Sequence, residues 1–348
     1  MGDMAATLAG KWVWLWNWRR CDDGDPSRVA ERLRRAGCRG ALVKAHDGPF
    51  WFDQGRPWRE LARALRAEGL LVGGWGYFYG RDVAGETRRA METATFGEAD
   101  LLVLDVEGEF KENAAAALTL CHGLRRELGA SYPVYFTSFA LARHHRSFPF
   151  RAFIDHCQGA VPQVYWNAFR RPPRESLALT YEDYATYGLS PQRLYPVAGL
   201  YREGSVPYPS AEEVALFAAM ARERGSPGIS FWSYEHMDAA MWEAVAAVPW
   251  PLSGEEETMD AQYDELVARV AALEGRVAAL EGRLGQAPPA GERYHVVGPE
   301  GVRGLWGVAE HLGVPQHQIP AWIEQVKVLN RLSGPNPIIH QGDRLRIP

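Results

Sequence analysis

Two carboxylates one residue apart, Asp105 and Glu107, stand at the end of the apolar run "LLVLDVEG", residues 101–108. Residues i and i+2 of a strand point to the same side, so both carboxylates can project from one face. Such a pair suits glycosidic bond cleavage, in which one group donates a proton and another stabilises the developing positive charge. Alternatively, Asp, Glu and Gly are ordinary residues at the exit of a buried strand. The surrounding elements decide between these two interpretations.

Short apolar segments alternate with amphipathic helical segments from about residue 10 to residue 248. The segments with strand-like composition are KWVWLW, GALVKA, LLVGGWGYFY, LLVLDV, YPVYFTS, AVPQVYW, RLYPVAG and GISFWSY. Helix-like segments such as PSRVAERLRRAG lie between them, and several end in Gly, as helices often do. This α/β pattern of eight units predicts a (β/α)8 TIM barrel. A doubly wound sheet is the alternative, but no Gly-rich phosphate loop follows the first strand.

The carboxyl ends of barrel strands gather at one face, where barrel enzymes have their active sites. Polar and aromatic side chains at the other strand ends are therefore candidate substrate-binding residues. They are Lys44, Asp47, Tyr77, Tyr79, Tyr135, Gln163, Tyr165, Trp232, Tyr234 and Glu235. Each aromatic residue alone is more often a core residue than part of a binding site. Together they favour an oligosaccharide, because aromatic faces stack on sugar rings while amides and hydroxyls bind the ring substituents.

Composition excludes several other functions. The formal net charge of -5 gives no general attraction to nucleic acid, and no apolar run approaches the ~18 residues of a membrane-spanning helix. The four cysteines are scattered without a metal-binding spacing, which indicates reduced structural thiols. The histidines have no metal-ligand pattern either, and neither a Gly-x-Ser-x-Gly elbow nor a phosphate loop is present. We therefore expect no metal and no cofactor.

Most of residues 10–240 resembles the glycoside hydrolase family 25 muramidases. The matching stretches are ALVKAHDG, GGWGYFYGRD, LVLDVEG, VYFTS and ISFWSY. The resemblance implies Glu107 as the general acid and Asp105 as the group that assists at the anomeric centre, for example by orienting the substrate's N-acetyl group. The family also has an Asp at the end of the first strand, where this chain offers Asn17. That departure leaves three readings open, namely a weak enzyme, recruitment of Asp47 or Glu235, and a barrel that only binds.

The chitinase-like family 18 is the other glycosidase family with a related strand. Its fourth strand carries Asp-x-Asp-x-Glu, and in this chain Val103 occupies the first of those positions. The family 18 match is therefore the poorer of the two.

A heptad repeat follows the barrel segment. Residues 258–285 contain VAALEGR twice in succession, with Arg at g and Glu at e. The a and d positions are Met259, Tyr263, Leu266, Val270, Leu273, Val277, Leu280 and Leu284. This pattern predicts an α-helical coiled coil over 257–286, with a trimer favoured by the repeated RVAALE and a dimer as the alternative. A lone amphipathic helix docked on the barrel is less consistent with so narrow an apolar stripe.

The last segment resembles a LysM module, the small α+β domain of βααβ order that binds N-acetylglucosamine-containing glycans. The matching pieces are Tyr294-x-Val296, Leu305-Trp306-x-x-Ala309, Leu329-Asn330 and Ile339-x-x-Gly342-x-x-Leu345-x-Ile347-Pro348. In place of the usual Gly-Asp-Thr turn the chain has GPEGVRG. An unrelated small domain is the alternative. The predicted organisation is thus a barrel at 1–252, the coiled coil at 257–286, a linker at 287–292 and the LysM-like domain at 293–348.

These features together predict a peptidoglycan hydrolase of lysozyme type that is held to the wall by its last domain. The expected partners are peptidoglycan or another N-acetylglucosamine-containing glycan and further copies of this chain. We expect no nucleic acid partner and no membrane span. The first residues lack a secretory signal pattern, so we expect synthesis in the cytoplasm and action at the bacterial cell wall, as a phage lysin or a virion- or tail-associated protein. The alternative is a non-catalytic structural or adhesive phage component that binds wall glycan.

The heptad repeat makes a prediction about assembly. The full chain should sediment as a trimer or a dimer, and a chain ending near residue 250 should be monomeric. Replacing Leu273 and Leu280 by Asp should dissociate the oligomer, because each change would bury an unpaired charge in the seam. Sedimentation velocity of the three proteins measures this, and a monomeric full-length protein at micromolar concentration would contradict the prediction.

Overall fold

A computed structural model describes residues 7–52, 58–250, 293–299 and 304–348. The chain divides into two compact units, Met1–Glu256 and Glu257–Pro348. The predicted coiled coil at 257–286 and linker at 287–292 lie outside the described residues. Within these ranges, no helix has the length and apolar character needed to cross a membrane.

The first unit is a closed barrel, which confirms the predicted fold of this segment. Its parallel strands are β1 (Gly10–Leu15), β2 (Gly40–Asp47), β4 (Leu71–Phe78), β5 (Leu101–Val106), β6 (Val134–Phe139), β7 (Gly159–Val164), β8 (Val197–Gly199) and β9 (Gly228–Trp232). Each strand pairs with its neighbours in this order, and β1 pairs with both β2 and β9. A short strand, β3 (Phe50–Trp51), pairs antiparallel with the end of β2.

Helices connect the strands on the outside of the barrel. They are α1 (Pro26–Arg35), α2 (Arg59–Ala67), α3 (Val83–Phe96), α4 (Ala114–Leu128), α5 (Phe150–His156), α6 (Trp166–Phe169), α7 (Pro173–Ala185), α8 (Ala211–Glu223) and α9 (Ala239–Ala247). The starts of several of them are fixed by capping residues: Ser210 and Glu213 form a capping box on α8, and Asp25 accepts hydrogen bonds from the first turn of α1.

One predicted strand is shorter than its sequence pattern indicates. The segment RLYPVAG, residues 193–199, forms strand β8 at Val197–Gly199 and before it makes an isolated bridge between Leu194 and Ala160. Pro196 stands between these two pairings and has no N–H to donate to a ladder, so the strand begins after it.

The barrel interior is filled by side chains that alternate along the strands. Trp12, Trp14, Trp75, Val103 and Tyr135 belong to one buried cluster inside the ring of strands. A second and larger apolar cluster lies between the strands and the helices, and it includes Val29 and Leu33 of α1. The inward-facing cluster ends at the carboxyl side of the strands, where polar residues replace apolar ones.

The described residues of the second unit, 293–299 and 304–348, have the element order βααβ. Its elements are β10 (Arg293–Val296), α10 (Gly304–His311), α11 (Ile319–Asn330) and β11 (Arg344–Ile347). The two strands pair antiparallel, with His295 opposite Leu345. Val297, Leu305, Val308, Val326 and Leu345 form its small buried core. This order is the one predicted for the segment, and its assignment as a LysM module stays a prediction.

Candidate active site

A cavity of about 160 Å³ opens at the carboxyl ends of the barrel strands. Its lining residues come from β1, β5, β6, β7 and β9 or from the residues that follow them. They are Trp14, Asp105, Glu107, Thr137, Gln163, Tyr165 and Trp232. The structure therefore brings together five of the side chains that the sequence singled out, and two further ones.

The Asp105 carboxyl lies at the bottom of this site. It is in β5, opposite Tyr77 of β4 and Thr137 of β6, and it is 8% exposed. Its Oδ1 has no hydrogen-bond partner among the described residues. Burial raises the pKa of Asp105 well above its ordinary value, and the charge of Glu107 raises it further against the opposing charge of Lys44. Asp105 therefore keeps its proton to a higher pH than an exposed Asp does.

Glu107 follows the last residue of β5 and is half-buried. Its Oε1 accepts a hydrogen bond from Nε2 of Gln163 at 2.8 Å. Gln163 lies in β7, so this bond passes over the intervening strand β6. It holds the Glu107 side chain in one orientation at the cavity, next to the deeper carboxyl of Asp105.

Tryptophan rings form the apolar wall of the site. Trp14, Trp75 and Trp232 contact one another edge to face, with centroid distances of 5.4, 5.8 and 5.5 Å. Trp14 Nε1 donates to Ser230 Oγ at 3.0 Å, and Trp75 Nε1 donates to the Leu15 carbonyl at 3.2 Å. These bonds satisfy the two indole N–H groups and fix the orientation of the rings.

Tyr165 also lines the cavity and has a hydroxyl group close enough to be affected by the charges of Asp105 and Glu107. Its ring packs against Tyr201 at 5.8 Å, and a Cβ on Gly199 would approach Tyr165 Cδ1 to 3.0 Å, so the absence of a side chain at Gly199 makes room for the ring. Burial raises the pKa of Tyr165 well above its ordinary value, and the charge of Asp105 adds to this effect. The hydroxyl therefore stays protonated and is available as a hydrogen-bond donor.

Lys44, Asp47 and Tyr79 form a separate hydrogen-bonded group beside the cavity. Asp47 accepts from Lys44 Nζ at 2.7 Å and from the Tyr79 hydroxyl at 2.6 Å. Burial alone would raise the pKa of Asp47, but these two hydrogen bonds and the Lys44 charge outweigh it and lower the pKa. The bond to Asp47 raises the pKa of Tyr79 to about 12. Because Asp47 is engaged here, the structure gives no support to its recruitment as a catalytic group.

Tyr77 lies opposite Asp105 on the neighbouring strand β4, and its side chain contacts Glu109. Its hydroxyl donates to Glu109 Oε2 at 2.7 Å. Burial and this hydrogen bond raise the pKa of Tyr77. Tyr77 is close enough to the carboxyl pair to be affected by its charge, yet it does not line the cavity.

Tyr135 is a correction to the predicted site. It is 2% exposed, its ring packs against Tyr195, and its hydroxyl accepts a hydrogen bond from the Leu8 N–H at 3.1 Å. Tyr135 stands near the beginning of β6, so it fills the barrel interior below the mouth. The residue two positions later, Thr137, points to the same side and reaches the cavity.

Tyr234 and Glu235 are likewise placed away from the cavity. Strand β9 ends at Trp232, and the chain turns into a short 3-10 helix at Tyr234–His236, so strand alternation no longer applies there. The Tyr234 hydroxyl donates to Asp22 Oδ2 at 2.5 Å. One Glu235 oxygen accepts from the Asn17 N–H, which occupies it in a backbone contact. Trp232 alone of these three lines the site.

The sequence interpretation missed Trp14 and Thr137. The sequence contained a signal for both. Trp14 is two positions after Trp12, and Thr137 is two positions after Tyr135, so each pair points to the same side of its strand. The closed ring determines which of these inward-facing residues stands nearest the mouth. Across the part of the chain that the structure describes, no group of three or more His, Cys, Asp or Glu side chains is placed to hold a metal ion.

Comparison with known proteins shows the fold of the barrel. No protein-family model matches this sequence, and no curated protein matches it either. A chitinase from Rhizomucor miehei aligns with a TM-score of 0.53 and 10% identity, over 69% of this chain and 100% of that one. A family 18 chitinase from Cycas revoluta, in complex with allosamidin, aligns with a TM-score of 0.52 and 14% identity, over 68% and 99%.

A spore cortex-lytic enzyme from Bacillus megaterium has the same barrel. It aligns with a TM-score of 0.53 and 8% identity, over 70% of this chain and 75% of that one. At these identities the similarity establishes a shared (β/α)8 barrel.

The buried Asp105 carboxyl predicts a pH-dependent change in stability. Because its pKa is raised in the folded state, unfolding releases a proton, and stability falls as pH rises above the ordinary Asp pKa of about 3.9. Asp105→Asn should therefore raise the melting temperature by roughly a few degrees at pH 7, with the gain vanishing below about pH 4.

Thermal melts of both proteins from pH 3 to pH 8 measure this difference. Asp23→Asn is the matched control, because the Asp23 side chain is 90% exposed. A melting temperature that is lower for Asp105→Asn at every pH would show that the carboxylate stabilises the fold instead.

Proposed function

We propose that the barrel hydrolyses a glycosidic bond beside a 2-acetamido sugar, in peptidoglycan or another N-acetylglucosamine-containing glycan. The observation that carries the proposal is the cavity that Asp105, Glu107 and Tyr165 line together with the rings of Trp14 and Trp232. Two carboxyls that share one site, that of Asp105 with a raised pKa and that of Glu107 held by Gln163, supply acid–base groups, and the indole rings supply flat apolar surfaces for a pyranose.

The position of the two carboxyls favours a substrate-assisted reaction. Glycosidases with two catalytic carboxylates place them on opposite sides of the bond that breaks. Asp105 and Glu107 come from one strand and approach from the same side. Among the described residues that line the cavity, no further Asp or Glu is present. The nucleophile must then come from the substrate, whose 2-acetamido oxygen can attack the anomeric carbon, as in family 18 glycosidases.

The roles of the side chains follow from this route. In the reactive form the proton of the carboxyl pair is on Glu107, which protonates the leaving glycosidic oxygen as the anomeric C–O bond breaks and a bond from the acetamido oxygen forms. Asp105 and the Tyr165 hydroxyl hydrogen-bond to the acetamido group and hold it beneath the anomeric carbon. Water then opens the resulting oxazolinium ion, and Glu107 takes the proton back from that water, which regenerates the starting state.

The comparisons support this proposal at the level of the fold and of the class of reaction. Chitinases and a spore cortex-lytic enzyme are built on the same barrel. A family 25 muramidase would carry a carboxylate after the first strand, and here the Asn17 backbone contacts Glu235 instead. A muramidase-type bond, after N-acetylmuramic acid, remains our proposed target because that sugar also carries the acetamido group that the route needs.

Glu107→Gln tests the proposed acid. It keeps the size of the side chain but removes the proton that the leaving oxygen needs, so turnover should fall roughly 10²- to 10⁴-fold. Asp105→Asn should also cause a severe loss of turnover. New reducing ends from purified peptidoglycan and from chitin oligosaccharides measure the loss, and de-N-acetylated oligosaccharides should not be cleaved by the wild-type protein.

Glu109→Gln is the matched control for that experiment, since Glu109 is an exposed neighbour that contacts Tyr77 and not the cavity. Wild-type turnover in Glu107→Gln would remove Glu107 from the mechanism. A wild-type protein that binds wall glycan but cleaves none of these substrates would favour the alternative, a non-catalytic adhesive or structural phage component.

We further propose that the remainder of the chain delivers the barrel to the cell wall. Residues 293–348 act as a LysM-like glycan-binding domain, supported by the antiparallel β10–β11 pair and the two intervening helices. Residues 257–286 join copies of the chain as a coiled coil, which increases wall affinity through multivalency. This arrangement suits a phage lysin or a virion- or tail-associated protein.

Two truncated chains test the targeting role. A chain ending at residue 290 retains the heptad repeat and lacks the last domain, whereas one ending at residue 252 lacks both. The first should lose most sedimentation with insoluble peptidoglycan while it still cleaves soluble fragments at the full-length rate. Equal sedimentation of the full-length chain and the 290-residue chain would assign wall binding to the barrel.

A further inference from the structure

A second aromatic surface lies beside the catalytic cavity and is not part of it. It consists of Trp16, Phe52 and His236, here called the aromatic row. The Trp16 centroid lies 6.4 Å from that of Phe52 and 6.5 Å from that of His236, with interplanar angles of 28° and 17°. The three rings are therefore nearly parallel.

Trp16 is partly exposed to solvent, with 40% of its surface accessible. Rings that cover each other stand closer, as Phe139 and His145 do at 3.5 Å and 3° in this same barrel. The centroids of Phe52 and His236 lie 6.4 and 6.5 Å from that of Trp16, well beyond that distance. An exposed aromatic residue needs no explanation by itself, so its position relative to the cavity is the decisive observation.

The aromatic row is continuous with the cavity wall. Trp16 follows the cavity residue Trp14 by two positions, just beyond the end of β1. The Lys44 ammonium lies 5.2 Å from the Trp75 centroid, 4.5 Å from that of Phe52 and 6.0 Å from that of Trp16. Trp75 in turn contacts the cavity residues Trp14 and Trp232. A chain that leaves the cavity on the side of β1 and β2 therefore meets the aromatic row next.

The row is held in place before any ligand arrives. Lys44 is 9% exposed and is paired with Asp47 at 2.7 Å, so the ammonium that touches two of the rings is fixed and its charge is balanced. On the other side, His236 Nδ1 lies 2.6 Å from Ser233 Oγ. A binding surface that is already ordered costs little conformational entropy when a ligand binds. Its apolar ring faces suit a neutral ligand better than a charged one.

We propose that the aromatic row is a second sugar-binding subsite, which takes a neutral pyranose ring of the same glycan chain, one or more sugars away from the bond that is cleaved. The choice of a glycan as the ligand rests on the proposed function. The row would make long oligosaccharides bind better than short ones, because short ones fill the cavity without reaching Trp16.

Binding by the full-length protein carrying Glu107→Gln, which holds oligosaccharides without cleaving them, tests this subsite. Isothermal titration with a short and a long N-acetylglucosamine oligosaccharide should give a lower Kd for the long one. Adding Trp16→Ala should raise the Kd of the long oligosaccharide roughly tenfold and leave that of the short one unchanged. Trp16→Phe, which keeps an aromatic face, should restore most of the difference.

Phe96→Ala is the matched control, since Phe96 is 41% exposed and ends α3 at the opposite end of the barrel, just before β5 begins. An unchanged Kd for the long oligosaccharide in Trp16→Ala would overturn the subsite while leaving hydrolysis intact. Loss of affinity in Trp16→Ala, in a protein whose wild type cleaves nothing, would support the subsite and overturn the proposed hydrolysis. Absence of binding to either oligosaccharide would overturn both.

Discussion

The pairing of β1 with both β2 and β9 is the constraint on which the rest of the barrel depends. Closing the sheet places the carboxyl ends of all eight strands around one mouth, so residues far apart in sequence become neighbours. Trp14 and Ser230 share a hydrogen bond although 216 positions separate them. The buried ammonium of Lys11 also donates to the Val245 and Val248 carbonyls at 2.9 and 2.8 Å. These bonds connect β1 to the end of α9, the helix that follows the last barrel strand.

The candidate site carries a free-energy cost, because it buries an ionisable carboxyl beside a second one. Asp105 is buried, has an oxygen without a described partner and stands beside Glu107. Its neighbours moderate the cost without removing it, because Lys44 is committed to Asp47 and Gln163 binds Glu107 instead. Burial of an ionisable group beside a second one is characteristic of functional sites, and a purely structural strand exit would place its carboxylates in water or in ion pairs.

On the proposed function, rigid aromatic surfaces connect the reaction at the carboxyl pair to the recognition of a polymer. Trp14 and Trp75 have their indole N–H groups hydrogen-bonded within the barrel, so a glycan would meet these two rings already oriented. On the proposed organisation, a wall-binding domain and an oligomerising segment add weak contacts at separate points of the same polymer. Affinity then comes from several modest interactions along the glycan, while the reaction needs only the few residues of one cavity.

The sequence by itself determined the alternation of strands and helices, the inward pairing of Asp105 with Glu107 and the βααβ order of the last unit, because hydrophobic periodicity and strand alternation are local properties. It also indicated Gln163, Tyr165 and Trp232. The tertiary structure decided how deep each inward-facing side chain lies in the barrel. Alternation cannot distinguish Tyr135, which fills the interior, from Thr137, which reaches the cavity, since both point inward. The structure also decides which residues Tyr234 and Asp47 contact. The bonds of Tyr234 to Asp22 and of Asp47 to Tyr79 join distant segments, which the closed ring of strands brings together.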